Sequence, residues 1–294
     1  MKPAPFEYVK ARSVDECVDI LERRGAEAKI LSGGQSLVPL MNLRLARPEV
    51  LVDVNGLGEL AYVRRDGGVL EVGALTRHCE LAEGAAVQQS CPLVSSAASR
   101  IGYPAIRNRG TLGGSLAHAD PAGELPCACV ALGAEVAVRG PDAERRVPAG
   151  DFFVSHFTTS LVASEMVVAV RFPVIGPGQG WAFEEFARKT GDFALVAVGA
   201  LVALGGTTVE GASIAVSGLG GRPIRLPAAE SALLGETWSD ELMVATGAAV
   251  TAEVAALVDE PAEGFRPHVA GVLAARALRD ACTRATDEEV PRGK

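Results

Sequence analysis

Two short runs of glycine and hydroxyl residues restrict what this chain can fold around: Ser32-Gly33-Gly34-Gln35-Ser36 and Thr111-Leu112-Gly113-Gly114-Ser115. The first follows Ala28-Lys29-Ile30-Leu31, a strand-like run, so the chain turns sharply where a strand ends. Glycine permits positive φ and carries no Cβ, so consecutive backbone N–H groups can be laid against a pyrophosphate. Ser32, Gln35 and Ser36 add side-chain donors. One such loop reads equally well as a tight turn. The second loop, inside Asn108 to Ser115, repeats the device and gives a dinucleotide a wall on each side. Neither loop is a Gly-Lys-Ser/Thr phosphate loop, and neither has Gly-x-Gly-x-x-Gly spacing.

A chain of 294 residues has room for roughly two or three domains with a substantial core. Its net charge of −8 and pI near 5.2 argue against a nucleic-acid partner, which needs a basic face, and against docking on an anionic membrane. Met1 to Lys10 lacks an apolar export core, and the apolar stretch Phe193 to Leu204 is too short to cross a bilayer. A cytoplasmic protein with no membrane span is expected. The six cysteines, at 17, 79, 91, 127, 129 and 282, form no Cys-x-x-Cys pair and read as buried reduced thiols. An iron–sulfur cluster needs suitably spaced thiolates, so none is expected here, and the scattered histidines 78, 118, 156 and 268 suggest no metal site.

The order of elements predicts an α+β chain in three units: residues 1–58, 59–176 and 177–294. In the first, strands over 6–9, 28–31 and 50–54 flank a helix over 14–24, with Ser13 as N-cap, Glu16 completing a capping box and Gly25 as stop. A helix-like stretch covers 37–45. The second holds a hairpin of 61–64 and 69–72, helices over 77–84 and 92–101, and strands over 135–139 and between 152 and 173. Phe152, Phe153 and Phe157 read as one aromatic core cluster. Gly176 to Gly180 has the composition of a linker. The third unit has three strands, 181–188, 193–204 and 209–219, then helices over 227–234, 240–258 and 267–282.

Longer motifs carry a more specific likeness. Ser32-Gly33-Gly34-Gln35-Ser36-Leu37-Val38-Pro39-Leu40-Met41, Ile106 to Ser115, and His118-Ala119-Asp120-Pro121-Ala122-Gly123-Glu124-Leu125-Pro126 resemble the FAD-binding medium subunit of the xanthine dehydrogenase and carbon monoxide dehydrogenase family, the molybdenum hydroxylases. The resemblance extends through Lys189-Thr190-Gly191-Asp192-Phe193-Ala194 and the C-terminal helices. It implies a two-part FAD-binding domain of the vanillyl-alcohol-oxidase-like type, a small α/β unit plus a larger mixed unit, followed by a C-terminal domain of a three-stranded antiparallel sheet with helices. It implies that Ser32, Gly33, Gly34, Gln35, Ser36 and Leu37 cradle the FAD pyrophosphate, with Thr111, Gly113, Gly114 and Ser115 as the second wall. Glu124 matches an acidic position on the ribityl chain; Ile101, Gly102 and Val167 match positions beside the adenine; Lys189 matches a lysine near the flavin. Phe193 stands where relatives often place a tyrosine over the flavin ring, which keeps the stacking and loses the hydroxyl. His118 and Asp120 count among the cofactor-binding candidates; for His118 a structural role in the second loop stands beside a catalytic one, for Asp120 setting the turn before Pro121 stands beside contact with FAD, and Arg107 and Arg109 suit either the pyrophosphate or an acidic partner.

The resemblance further implies a complex in which a large molybdopterin subunit oxidises the substrate and a small subunit carries 2Fe-2S clusters. FAD in this chain then passes electrons to an acceptor, within a dimer of heterotrimers. Carbon monoxide-oxidising members tend to carry His at Gln35 and Asn at Ser115, so an N-heteroaromatic or similar substrate is favoured over CO. Two rivals are a stand-alone FAD-dependent reductase or oxidase on the same fold and an assembly protein that has lost flavin.

Overall fold

The computed structural model describes residues 2–258 and 264–289. Strand β1 (Glu7–Lys10), helix α1 (Val14–Arg24), strand β2 (Ala28–Leu31), helix α2 (Leu37–Asn42) and strand β3 (Val50–Asp53) make the first unit. Its sheet runs β1-β3-β2, with both pairs parallel. Val50, Leu51 and Val52 are all buried, as expected of an unbroken β-branched run in the middle of a parallel sheet covered on both faces. Ser13 caps α1 by accepting the Glu16 N–H at 3.1 Å, and Gly25 closes it at φ 53°. Glu16 does not complete the expected box. Its carboxylate takes the Arg12 N–H at 2.7 Å and the Arg12 guanidinium, one residue outside the cap. Helix α2 is shorter than expected, ending at Asn42 where Arg44 turns to φ 60°.

The second unit contains β4 (Val63–Asp66), β5 (Val69–Gly73), α3 (His78–Glu83), α4 (Ala85–Ser90), α5 (Pro92–Arg100), α6 (Pro104–Arg107), α7 (Leu112–His118) and α8 (Glu124–Leu132). It continues through β6 (Glu135–Arg139), β7 (Glu144–Pro148), α9 (Ala149–Phe152), β8 (Phe153–Ser155), β9 (Thr158–Thr159) and β10 (Met166–Pro173). Its antiparallel sheet has the order β4-β5-β10-β6-β7, so β10 is central and Met166 to Val170 are all buried. Phe152 and Phe153 pack edge to face in the core with centroids 5.2 Å apart. Phe157 departs from the expected cluster: it is exposed at φ 51° and lies 5.1 Å from the His118 ring.

The third unit is an antiparallel sheet of β11 (Gln179–Phe186), β12 (Val196–Gly205), β13 (Thr208–Ser217) and a two-residue β14 (Ile224–Arg225), with α10 (Pro227–Ser231), α11 (Asp240–Val258) and α12 (Phe265–Glu289). The short β14 adds a fourth strand to the three expected. Among the described residues α11 is the one helix long and apolar enough to cross a membrane, with mean hydropathy 1.6. It packs along α12 and contributes Met243, Val250 and Val254 to the core under the sheet. Helix α8 joins the second and third units. All nine of its residues are buried, between α5, α7 and β10 on one side and β12 and β13 on the other. Cys127 and Cys129 lie in this helix, and burial raises the pKa of both thiols well above the ordinary value, that of Cys127 to about 12.

Gly180 belongs to β11 rather than to a linker. A Cβ built there would lie under 2 Å from the Ala281 carbonyl oxygen and 2.7 Å from the Ala285 nitrogen, because α12 crosses the strand at backbone contact. Gly180→Ala should therefore lower stability by about 1–3 kcal/mol, the usual effect of overpacking a closed interface. Thermal unfolding measures it; an unchanged midpoint would show that α12 can move away freely.

Candidate cofactor-binding site

The two glycine loops meet. Between β2 and α2, Gly33 lies so close to the second loop that an added Cβ would be 2.5 Å from the Arg109 carbonyl oxygen and 2.8 Å from Gly110 Cα. Ser32 Oγ and Thr111 Oγ1 share a hydrogen bond of 2.5 Å, and Ser32 Oγ also accepts the Gly33 N–H at 2.6 Å. Gly34 sits at φ 72°, a left-handed value that glycine adopts without strain. Here the chain leaves a row of donors: among the described residues, the N–H groups of Gly34, Gln35 and Ser36 have no protein acceptor. Gln35 folds its own Nε2 back onto the Gly33 carbonyl at 3.1 Å, so its side chain braces the loop.

The second loop works differently from the first. It is the start of α7, and four consecutive N–H groups are already used: Leu112 donates to Thr76 O, Gly113 to Ala74 O, Gly114 to Thr111 Oγ1 and Ser115 to Thr111 O. A consecutive row of free N–H groups therefore occurs at Gly34–Ser36 and not in the second loop. The glycines here serve packing. A Cβ at Gly113 would sit 2.6 Å from Ala74 Cβ, and one at Gly114 would press on the hydrogen-bonded pair Thr111 Oγ1, at 2.8 Å, and Ser32 Oγ, at 3.0 Å. His78 supports the loop from below. Its Nε2 lies 3.0 Å from the Thr111 carbonyl, and burial lowers its pKa to about 4, so the ring is neutral and Nε2–H donates. Its Nδ1 is buried without a partner against Gly110. The sequence offered no ligand spacing for His78, and its role as a loop support was not legible there.

The other expected residues fall into two nearby groups. His118 ends α7, Asp120 follows it and Glu124 begins α8. His118 Nε2 is 4.0 Å from Asp120 Oδ2, and Asp120 Oδ1 accepts the Ala122 N–H at 2.9 Å, which is the turn-setting role. Glu124 is buried, and burial first, with neighbouring Glu185 and Asp120 adding to it, raises its pKa to about 7. Glu185 on β11 is also raised by burial, and its Oε2 has no partner. In the second group, Gly191 between Lys189 and Phe193 packs on the turn after α5: an added Cβ would meet the Tyr103 ring at 3.0 Å and the Gly102 carbonyl at 3.3 Å. Arg107 holds that turn by donating to the Ile101 and Gly102 carbonyls at 3.0 and 3.1 Å, so its guanidinium serves backbone. Lys189 pairs with Asp192 at 3.7 Å, and Phe193 stays 69% exposed. Val167 lies in β10 at a bulge in its pairing with β6, and the next residue, Val168, accepts the Ala74 N–H at the foot of α7.

Residues 4–175 match the family described as FAD binding domain in molybdopterin dehydrogenase, and residues 181–281 match the CO dehydrogenase flavoprotein C-terminal domain. The chain is 40% identical over 287 residues to 6-hydroxypseudooxynicotine dehydrogenase complex subunit alpha of Paenarthrobacter nicotinovorans, covering 97% of each. It is 37% identical over 290 residues to the carbon monoxide dehydrogenase medium chain of Hydrogenophaga pseudoflava, covering 97% of this chain and 99% of that one. The chain belongs to the FAD-binding medium subunits of the molybdenum hydroxylases. Its fold superposes on carbon monoxide dehydrogenase from Hydrogenophaga pseudoflava lacking the Mo-pyranopterin moiety, with TM-score 0.90, 39% identity and coverage of 97% and 99%. It superposes on quinoline 2-oxidoreductase from Pseudomonas putida 86 with TM-score 0.89, 32% identity and coverage of 97% and 100%.

The residues present suit FAD. Three consecutive N–H groups without acceptors suit an anionic pyrophosphate. At neutral pH the buried Glu124 carboxyl is partly protonated, so it can donate to or accept from a hydroxyl. The same raised pKa bears on stability. Folded Glu124 holds its proton to about pH 7 and an unfolded carboxyl only to 4.5, so between these values the folded chain binds more protons. Stability fully present below 4.5 is lost as pH rises through 7. In the flavin-free chain Glu124→Gln should flatten the fall in thermal midpoint between about pH 5 and pH 8. Equal slopes in the two proteins would place the proton elsewhere.

Proposed function

We propose that this FAD subunit passes electrons from 2Fe-2S clusters of a small partner subunit to an external acceptor, while the substrate is oxidised on a separate molybdopterin subunit. The observation that carries the reading is the row of unpaired N–H groups at Gly34, Gln35 and Ser36, set against the second loop in a chain whose whole length matches medium subunits. FAD, when bound, exchanges electrons singly with one-electron carriers and in pairs with other acceptors. The units 1–58 and 59–176 would hold the two walls, and 177–294 would bring in the Lys189–Phe193 loop.

In this reading Ser32 to Leu37 take the pyrophosphate, with donors from the first loop and shape from Thr111, Gly113, Gly114 and Ser115. Glu124 holds the ribityl hydroxyls, with His118 and Asp120 shaping the turn beside it. Ile101, Gly102 and the backbone at Val167 border the adenine. Lys189 and Phe193 lie at the flavin end, where the exposed Phe193 ring is free to cover one face of the flavin. Phenylalanine supplies no proton at that point, so it stacks and excludes water only. The complex is proposed as a dimer of heterotrimers in the cytoplasm, with an N-heteroaromatic or similar substrate favoured over CO. Gln35 and Ser115 support that substrate class, as do relatives named for 6-hydroxypseudooxynicotine and caffeine.

Purified natively, the protein should run with a large molybdenum-containing and a small iron–sulfur subunit, and its flavin should be bleached by an N-heteroaromatic substrate only in that complex. A chain that runs alone, carries flavin and turns over NADPH or an aromatic alcohol by itself would sink the proposal in favour of a stand-alone reductase or oxidase. Bleaching by CO and not by N-heteroaromatics would overturn the substrate class alone.

A further inference from the structure

The Ser32–Thr111 hydrogen bond and the close approach of Gly33 to Arg109 join the two loops directly, and a second set of contacts between them lies outside both glycine motifs. Those come from Asn55, two residues past the end of β3, and Arg77, immediately before α3. Asn55 Nδ2 donates to the Ser32 carbonyl at 2.9 Å, reaches the Leu31 carbonyl at 3.4 Å and donates to Asp53 Oδ1 at 2.7 Å. Its Oδ1 accepts from Arg77 Nη2 at 2.9 Å. Three acceptors around the nitrogen and a guanidinium donor at the oxygen leave the amide one workable orientation. Arg77 Nη1 donates to the Arg109 carbonyl, the same oxygen that Gly33 abuts.

Both residues are themselves anchored. Asp53, which receives the Asn55 amide, also accepts the Tyr8 hydroxyl at 2.5 Å, so the chain before Asn55 is tied to β1. The Arg77 N–H donates to Glu80 Oε2 at 2.8 Å, and Arg77 bridges Thr111 through the backbone bonds His78 N to Gly110 O and Leu112 N to Thr76 O. The path Ser32 O, Asn55, Arg77, Arg109 O therefore runs from one loop to the other through two part-buried side chains, one from each subdomain.

We propose that Asn55 and Arg77 are positioning residues for FAD, forming a clamp that holds Ser32–Ser36 at the spacing from Asn108–Ser115 that the pyrophosphate requires. This rests on the flavin reading above. The planar guanidinium is needed for its shape: it meets two oxygens in different loops with two different nitrogens, which a lysine ammonium at the end of a flexible stem does not reproduce. The clamp acts on the free N–H groups only through the loop backbone, so its loss leaves the fold standing and loosens the cradle.

The test uses the full chain stripped of flavin, titrated with FAD by flavin fluorescence, together with the FAD dissociation rate and the thermal midpoint of the stripped protein. Asn55→Ala and Arg77→Ala should each weaken FAD binding by roughly 10- to 100-fold, the range typical when residues that orient direct contacts are removed. The double variant should bind no more weakly than the worse single one, because either change opens the same clamp. Arg77→Lys should fail to restore affinity. Restoration by lysine would mean that Arg77 acts by charge on the pyrophosphate and would overturn the clamp. So would additive losses in the double variant, or unchanged FAD affinity in both single variants when the wild type binds FAD. A wild-type chain that takes up no FAD would overturn the flavin reading as well. Were Arg77→Ala to fold poorly, Arg77→Gln and Asn55→Ser would carry the comparison, judged by affinity relative to midpoint.

Discussion

The Arg109 carbonyl oxygen is the point on which the two glycine loops bear. Gly33 approaches it so closely that no Cβ fits, Arg77 donates to it, and Gly110 beside it packs on His78. Ser32 and Thr111 join their hydroxyls across the same seam. The first subdomain has a parallel sheet of only three short strands, and the second has its own antiparallel sheet. The two share an apolar core in which Cys17, Val18 and Leu21 of α1 lie with Met166, Val168 and Ala169 of β10, and at the cradle itself the loops meet through a handful of close contacts. This is why glycine recurs there: the seam is made of main chain against main chain, and any side chain at Gly33 would open it.

Helix α8 carries that placement into the rest of the molecule. A helix with every residue buried has no solvent face, and here it is the layer between the second unit and the C-terminal sheet. Burying its first residue, Glu124, follows from the same arrangement, and the raised pKa is the electrostatic consequence. The Glu124 carboxyl thus has acidity near neutrality for a packing reason. Glu185, brought close by β11, reinforces it, so the C-terminal unit affects the proposed ribityl contact without touching the glycine loops.

Much of this was legible in the sequence wherever local chemistry decides structure. The Ser13 cap, the Gly25 stop, the strands at 28–31 and 135–139 and the helix at 240–258 follow from capping, turn chemistry and period, and they stand at or near the expected bounds. What was not legible depends on contacts between distant segments. Gly180 looked like linker because glycine composition is shared by flexible chain and by close crossings, and only the position of α12 separates the two. Helices α7 and α8 were masked by glycine in one and by an unbroken apolar run in the other, since a fully buried helix has no polar stripe to display its period. Asn55, Arg77 and Glu185 sit in stretches with no motif at all, and their partners lie 22 or more residues away in the loop contacts that matter.

The likeness of the two glycine loops in sequence hides a division of labour. Ser32–Ser36 leaves N–H groups free because the chain turns before α2 can use them. Leu112–Ser115 has none to spare, because α7, the Thr111 side chain and the strand end at Ala74–Thr76 take them. A second row of free donors would have left more buried N–H groups without acceptors in the flavin-free chain, each destabilising by about 1–3 kcal/mol. Using the second loop as a shaped wall avoids that penalty and still closes the cradle. With His78 neutral and Glu124 partly protonated at neutral pH, the wall adds little negative charge of its own. An anion brought to the first loop is then met by backbone dipoles, with the Arg77 guanidinium fixed behind the seam by Asn55 and the Arg109 carbonyl.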